Sequence, residues 1–385
     1  MTAQRSLRIL LIGNYAPMRQ QSMLRFAELM RRQYAEAGHE ARLLQPAVVL
    51  GRLARNVNQG IGKWLGYVDR FVLFHFSLRR ALARADVVHV CDHSNAMTVP
   101  WLRGKPNLVT CHDLLAIRGA QGDIVEHRVR FAGRLLQRWV VSGLRRSQKV
   151  VCVSRQTAHE LQQATGMTSE RVSIVQNALN YPYAPMPQAE AIQCMSAIGL
   201  SPSQPYVLHV GGNDWYKNRV GVVHIFAELV KWPGYQAHRL VLAGRAWNAD
   251  LAAAVAGSGL AERVDAVVDA DSETLRALYS RADFLLFPSL AEGFGWPIAE
   301  AMACGCPVVT TGRAPMTEVG GEAALYLDDP ADPADAASCA RRIVDAFGPR
   351  DGRIVLGFQQ AARFDGMAMQ AGYLIELSRV VCEDA

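Results

Sequence analysis

The chain has 385 residues, half of them hydrophobic and 20% charged. That is enough apolar material for two cores, and it excludes a single small domain, a disordered chain or a membrane-spanning bundle. The net charge of +6 divides unevenly: residues 1–190 carry 26 Lys+Arg against 12 Asp+Glu (+14), the rest 15 against 23 (−8), so the first half favours an anionic partner such as a nucleic acid, an acidic lipid surface or a lipid pyrophosphate.

The run LRILLIGN (Leu7 to Asn14) reads as a buried parallel strand and is too short for a signal-peptide core, so a cytoplasmic location is expected. Residues Ser22 to Ala37 then place Met23, Phe26, Leu29, Met30 and Tyr34 on one helical face, with Gly38 as the stop. The intervening loop contains no GxGxxG, which argues against a dinucleotide site there. From Arg52 to Arg84, Trp64, Tyr67, Phe71, Phe74 and Phe76 alternate with Arg55, Lys63, Arg70, Arg79 and Arg80. This stretch reads equally as an ordinary packed helix or as an amphipathic element peripheral to an anionic membrane; His75, Arg79 and Arg80 prevent it from spanning one.

Further buried strands are expected at Asp86 to Cys91, Asn107 to Asp113 and Lys149 to Ser154. The three prolines of YPYAPMP (Tyr181 to Pro187) mark a linker. The strand rhythm then restarts at Tyr206 to Gly212, His238 to Gly244, Val264 to Ala270, Asp283 to Ser289 and Cys306 to Thr311. The fold class expected is therefore α/β, with two doubly wound Rossmann-like domains, residues 1–185 and 186–365, facing across a deep cleft, and a helix over 366–385 packing back toward the first. The eight cysteines read as reduced thiols, because Cys304 and Cys306 alone supply too few ligands for zinc.

Three segments carry chemistry. In PSLAEGFGWPIAEAMACGCPVV (residues 288–309) a strand ends, a glycine-rich loop passes Glu292, and Pro297 opens a helix. Gly293 and Gly295 allow backbone amides to approach a diphosphate at the positive end of that helix, with no metal needed, and Glu300 lies two turns along it. In HVGGNDWYKNRVG (His209 to Gly221) paired glycines, Gly211 and Gly212, end a strand ahead of the cations Lys217 and Arg219. In LVTCHDL, His112 and Asp113 follow a strand of the first half and are expected at the cleft. Taken singly, each feature is more often structural: dipole-compensating glutamates, a solvated lysine, a hydrogen-bonding histidine.

Together, E-G-F-G-W-P-I-A-E-A-M-A-C-G-C-P-V-V closely resembles the E-x7-E signature of glycosyltransferase family 4, retaining nucleotide-sugar enzymes of GT-B fold. The resemblance extends upstream to LRALYSRADFLLFP (Leu275 to Pro288) and downstream through Thr317 to Gly321. It implies that Glu300 holds the nucleotide ribose, that Glu292 lies near the donor sugar and diphosphate, and that Phe294 and Gly295 offer backbone amides. It further implies that Lys217 neutralises the diphosphate and that His112 contacts the donor sugar. The family's arginine five residues before the lysine is replaced here by Gly212, leaving Arg219 or Arg245 to supply the second cation.

On this reading the partners are a nucleotide-sugar donor, GDP-mannose or a UDP-hexose, and a glycan or lipid-linked acceptor of surface polysaccharide synthesis. No nucleic acid, cofactor or metal is expected. The alternatives are a GT-B epimerase or phosphorylase, or a non-catalytic sugar-nucleotide binder.

Overall fold

The computed structural model describes residues 6–18, 20–54, 57, 60–124, 129, 131–328, 330–346 and 350–382; Arg55 lies outside them. The chain divides into two units, residues 1–180 with 366–385, and residues 181–365. The first ends at Asn180, short of residue 185, because the linker already belongs to the second unit. There the Tyr183 ring packs edge-on against Tyr279, 6.0 Å between centroids, and the Tyr181 hydroxyl donates to Glu273.

The first unit is a parallel six-stranded sheet in the order β2-β1-β3-β4-β5-β6, formed by Arg8–Ile12 (β1), Glu40–Leu44 (β2), Val87–Val90 (β3), Asn107–Cys111 (β4), Lys149–Cys152 (β5) and Val172–Ile174 (β6). Every residue of β3, β4 and β5 is buried, as befits strands covered on both faces. Helix Gly366–Cys382 returns to this sheet: Met369, Tyr373, Leu377 and Val380 join the core formed by Phe26, Met30, Ile9 and Leu11. Its polar contacts are equally specific, with Gln33 Nε2 donating to Gly366 O at 3.0 Å and Glu376 lying 3.3 Å from the Lys149 ammonium.

The second unit holds Tyr206–Gly211 (β7), Arg239–Gly244 (β8), Val264–Val268 (β9), Phe284–Phe287 (β10), Val308–Thr311 (β11) and Leu325–Leu327 (β12), in the order β12-β11-β10-β7-β8-β9. Read from β9, this is the 3-2-1-4-5-6 order of a Rossmann sheet, in which the chain reverses direction of growth between β7 and β10. Among the described residues, no helix is long and apolar enough to cross a membrane. Of the eight cysteines, all free, only Cys194 and Cys382 are not buried.

One histidine is locked neutral in each sheet. His89 lies between Tyr34 and Thr110, and His209 is 2.9 Å from Leu286 O; burial pushes both down to about 3. Their unfolded values lie near 6.5, so below that pH the unfolded chain binds protons that the native one refuses, and stability rises with pH between about 3 and 6.5. Each histidine is therefore expected to cost about 2 kcal/mol between pH 7 and pH 5. Urea unfolding at the two pH values checks this, and a pH-independent midpoint would contradict it.

Candidate active site

The reversal point of the second sheet places the loops following β7 and β10 side by side, the crevice where open α/β sheets bind ligands. The first loop is shaped by close backbone approach. Gly211 pairs with Gly244, where a Cβ would stand 2.0 Å from Gly211 O, and a Cβ on Gly211 itself would meet the His209 ring at 2.9 Å and the Lys217 stem at 3.5 Å. Gly212 has a Cβ position 3.2 Å from Asp214. After the turn Trp215–Lys217, Asn218 takes a left-handed conformation (φ 50°), and its side-chain amide donates to Pro288 O at 3.2 Å. The β7 loop is thus tied to the end of β10.

That tie brings Lys217 to Glu292. The ammonium donates to Glu292 Oε1 at 2.7 Å, and the Ser289 hydroxyl lies 2.7 Å from the same oxygen. Both charged side chains are mostly buried, 14% and 9% exposed. Lys217 also lies over the rings of Phe287 and Tyr216, 5.1 and 5.4 Å from their centroids.

Gly295, at φ 101°, caps helix Trp296–Ala303, with Pro297 in its first turn. Phe294 turns its ring into the core, 5.4 Å from Phe364 and 5.9 Å from Trp296, which anchors the loop. Glu300 is 6% exposed and accepts a 3.0 Å hydrogen bond from the Tyr279 hydroxyl.

The two remaining cations differ. Arg219 is buried, its Nη1 donating to Asn213 Oδ1 at 2.5 Å and to Arg245 O at 2.9 Å, and burial lowers its pKa. It lies close enough to His209 for both Arg219 and Lys217 to disfavour protonation of that ring. Arg245 is 43% exposed and lies 3.6 Å from Asp269.

His112 belongs to the first unit, at the end of β4. Its Nε2 lies 2.9 Å from Cys91 O, its ring meets Phe26 edge-on at 4.6 Å, and burial lowers its pKa against the opposing pull of Asp92. Asp92 is held by Asn14 Nδ2 at 2.5 Å and by Ser94 N at 2.8 Å. Sequence reasoning had no role for Asn14, Asp92, Ser289 or Tyr279. Tyr279 lies inside the LRALYSRAD segment, whose tyrosine is the one signal that could have shown it. Among the described residues no three His, Cys, Asp or Glu side chains gather as a metal site.

Two family models match this chain: Glycosyltransferase Family 4 over residues 24–181 and Glycosyl transferases group 1 over residues 204–346. O-antigen chain mannosyltransferase B of Escherichia coli is 27% identical over 77% of this chain and 76% of its own length. O-antigen chain mannosyltransferase RfbU of Salmonella typhimurium is 26% identical, over 60% of this chain and 58% of its own. Among solved structures, sucrose-phosphate synthase from Thermosynechococcus elongatus superposes with a TM-score of 0.72 at 20% identity, covering 98% of this chain and 99% of its own. Anabaena HepE, solved with UDP and glucose, gives 0.71 at 16% identity, covering 97% and 99%. The two parallel six-stranded sheets are those of the GT-B fold, and the chain belongs to glycosyltransferase family 4.

Proposed function

We propose that this glycosyltransferase moves a hexose from a nucleoside-diphosphate sugar to a hydroxyl of a glycan or lipid-linked acceptor, with retention of anomeric configuration, in the synthesis of a surface polysaccharide. The observation that carries the reading is the Lys217–Glu292 pair at the reversal point of the second sheet, beside the Gly295-capped helix.

In the proposed reaction the bond from the anomeric carbon to the diphosphate oxygen breaks as the acceptor oxygen bonds to the same face of that carbon, and the acceptor's proton passes to the departing phosphate. Negative charge grows on the diphosphate in that step. Lys217 and the amides of residues 293–295 are the groups to stabilise it, so no divalent metal is called for. Glu292, whose carboxylate already grips the lysine, takes the sugar side, and Glu300 the ribose hydroxyls. Arg219 fills the gap left by Gly212, as a positioning residue that holds Asn213 and the end of β8 while adding its charge to the crevice. His112 is assigned to the donor sugar. The printed names of the O-antigen relatives favour mannose, and the UDP in the HepE structure keeps UDP-hexoses in contention.

Screening GDP- and UDP-sugars by thermal shift tests the donor. The right nucleotide at a hundred times its Kd stabilises the native state by about 2.7 kcal/mol, raising Tm by several degrees, in EDTA as well as without it. No shift with any nucleotide would remove the reading. The anomeric coupling of the product by NMR separates retention from inversion.

A further inference from the structure

The first unit exposes large apolar side chains on two neighbouring helical elements. Residues 60–82 run through helix Gly60–Tyr67, a π-helical turn Val68–Leu73 and helix Phe74–Leu82, and helix Phe131–Arg146 packs beside them. Ile61, Trp64, Val72 and Phe76 on the first run, and Phe131 and Leu135 on the second, are all more than half exposed. A chain of ring contacts joins the two: Trp64 to Tyr67 at 5.7 Å, Tyr67 to Phe71 at 5.4 Å, and Phe71 to Trp139 at 5.4 Å. Through these rings the first run is set beside the helix that carries Phe131 and Leu135. An ordinary packed helix turns such residues inward.

Among the described residues of these elements the exposed charges have one sign. Lys63, Arg79, Arg80, Arg134 and Arg138 are exposed. The one acid in these elements, Asp69, is fully buried, where its carboxylate accepts from the Tyr15 hydroxyl at 2.6 Å and from the backbone N–H groups of Val49, Leu50 and Gly51. Large apolar side chains ringed by cations match an interface that is apolar a few ångströms down and anionic at its rim. A second copy of the chain would bring like charges together. A nucleic acid would leave Ile61, Val72 and Leu135 with nothing to bury against.

We propose that this face docks the enzyme on an anionic lipid bilayer, both helical elements lying in the interfacial plane with Trp64 and Phe131 below the headgroups and the arginines on the phosphates. It deepens the lipid-linked acceptor named above, and its test requires no donor, so its failure and that reading's failure are separable.

Flotation with phosphatidylcholine vesicles, with and without phosphatidylglycerol, tests it on the full chain. Binding is expected only with phosphatidylglycerol, and it falls as salt rises. The Arg134→Gln/Arg138→Gln variant should lose about thirtyfold in partitioning, and Trp64→Ser/Phe131→Ser should lose binding altogether. Both variants touch surface side chains and should keep the parent's Tm and far-UV circular dichroism, which shows that they fold. Three results would overturn the proposal: no binding to either vesicle at low salt, equal binding by the variants, or a wild-type dimer that Trp64→Ser/Phe131→Ser converts to monomer. Salt-sensitive binding to duplex DNA in place of vesicles would do the same.

Discussion

Replacing Lys217 by alanine is expected to lower kcat/KM for sugar transfer by about a hundred- to a thousandfold, the scale on which a single group stabilising transition-state charge acts. The loss should appear mainly in kcat, because charge on the leaving diphosphate is fully developed only as its bond to the sugar breaks. The substitution also strands Glu292, which keeps only the Ser289 hydroxyl at 2.7 Å in a largely buried setting. Tm should fall accordingly. A Lys217→Ala/Glu292→Ala double variant separates the two effects: it should recover most of the lost Tm and none of the lost turnover. If turnover returned with stability, the lysine would be a structural partner of the glutamate and the proposed chemistry would have to move elsewhere.

The second large effect is expected at Glu300. Glu300→Ala removes the carboxylate assigned to the ribose and leaves the buried Tyr279 hydroxyl without its acceptor, so the donor KM should climb about ten- to a hundredfold and the nucleotide-induced rise in Tm should fall to about half or less. Glu300→Gln keeps an acceptor for Tyr279 and should retain the parent Tm while still losing most donor affinity. Equal donor affinity in Glu300→Gln and the parent would assign Glu300 to the core alone.

The sequence showed the central strands plainly and the edges poorly. β3, β4, β5, β7 and β10 are rich in Val, Leu and Phe and are buried on both faces or nearly so, and such runs read as parallel strands without further help. β2, by contrast, is EARLL with no fully buried residue, and β12 has three residues; neither leaves a period or a run long enough to notice. β6 is similarly short and only partly buried. Three of the four edge strands share this difficulty, because an edge strand is specified by its neighbour rather than by its own pattern, whereas the edge strand β9 keeps the valines that Val264 to Ala270 showed in sequence.

The candidate site divides the same way. Glu292, the glycines and Glu300 lie within nine residues and announce themselves by spacing. That Lys217 meets Glu292 depends on the sheet order, which sets β7 against β10 across 75 positions of sequence. The environment of Arg219 was equally hidden: its hydrogen bonds run to Asn213 and to the carbonyl of Arg245 at the end of β8, and only the assembled sheet brings those groups together.

The return of helix Gly366–Cys382 to the first sheet gives that sheet an unusual birth order. Its strands leave the ribosome first, yet Tyr373, which stacks on His89 at 5.3 Å and lies within 3.0 Å of the Thr110 hydroxyl, is made only after the whole second unit. Until then His89, Thr110 and the floor beneath Phe26 and Ile9 lack part of their cover. The second unit is one uninterrupted stretch and can close as soon as it is synthesised. The half of the enzyme that is translated first is therefore completed last, and a nascent chain stalled anywhere before residue 366 presents an unfinished apolar surface to chaperones.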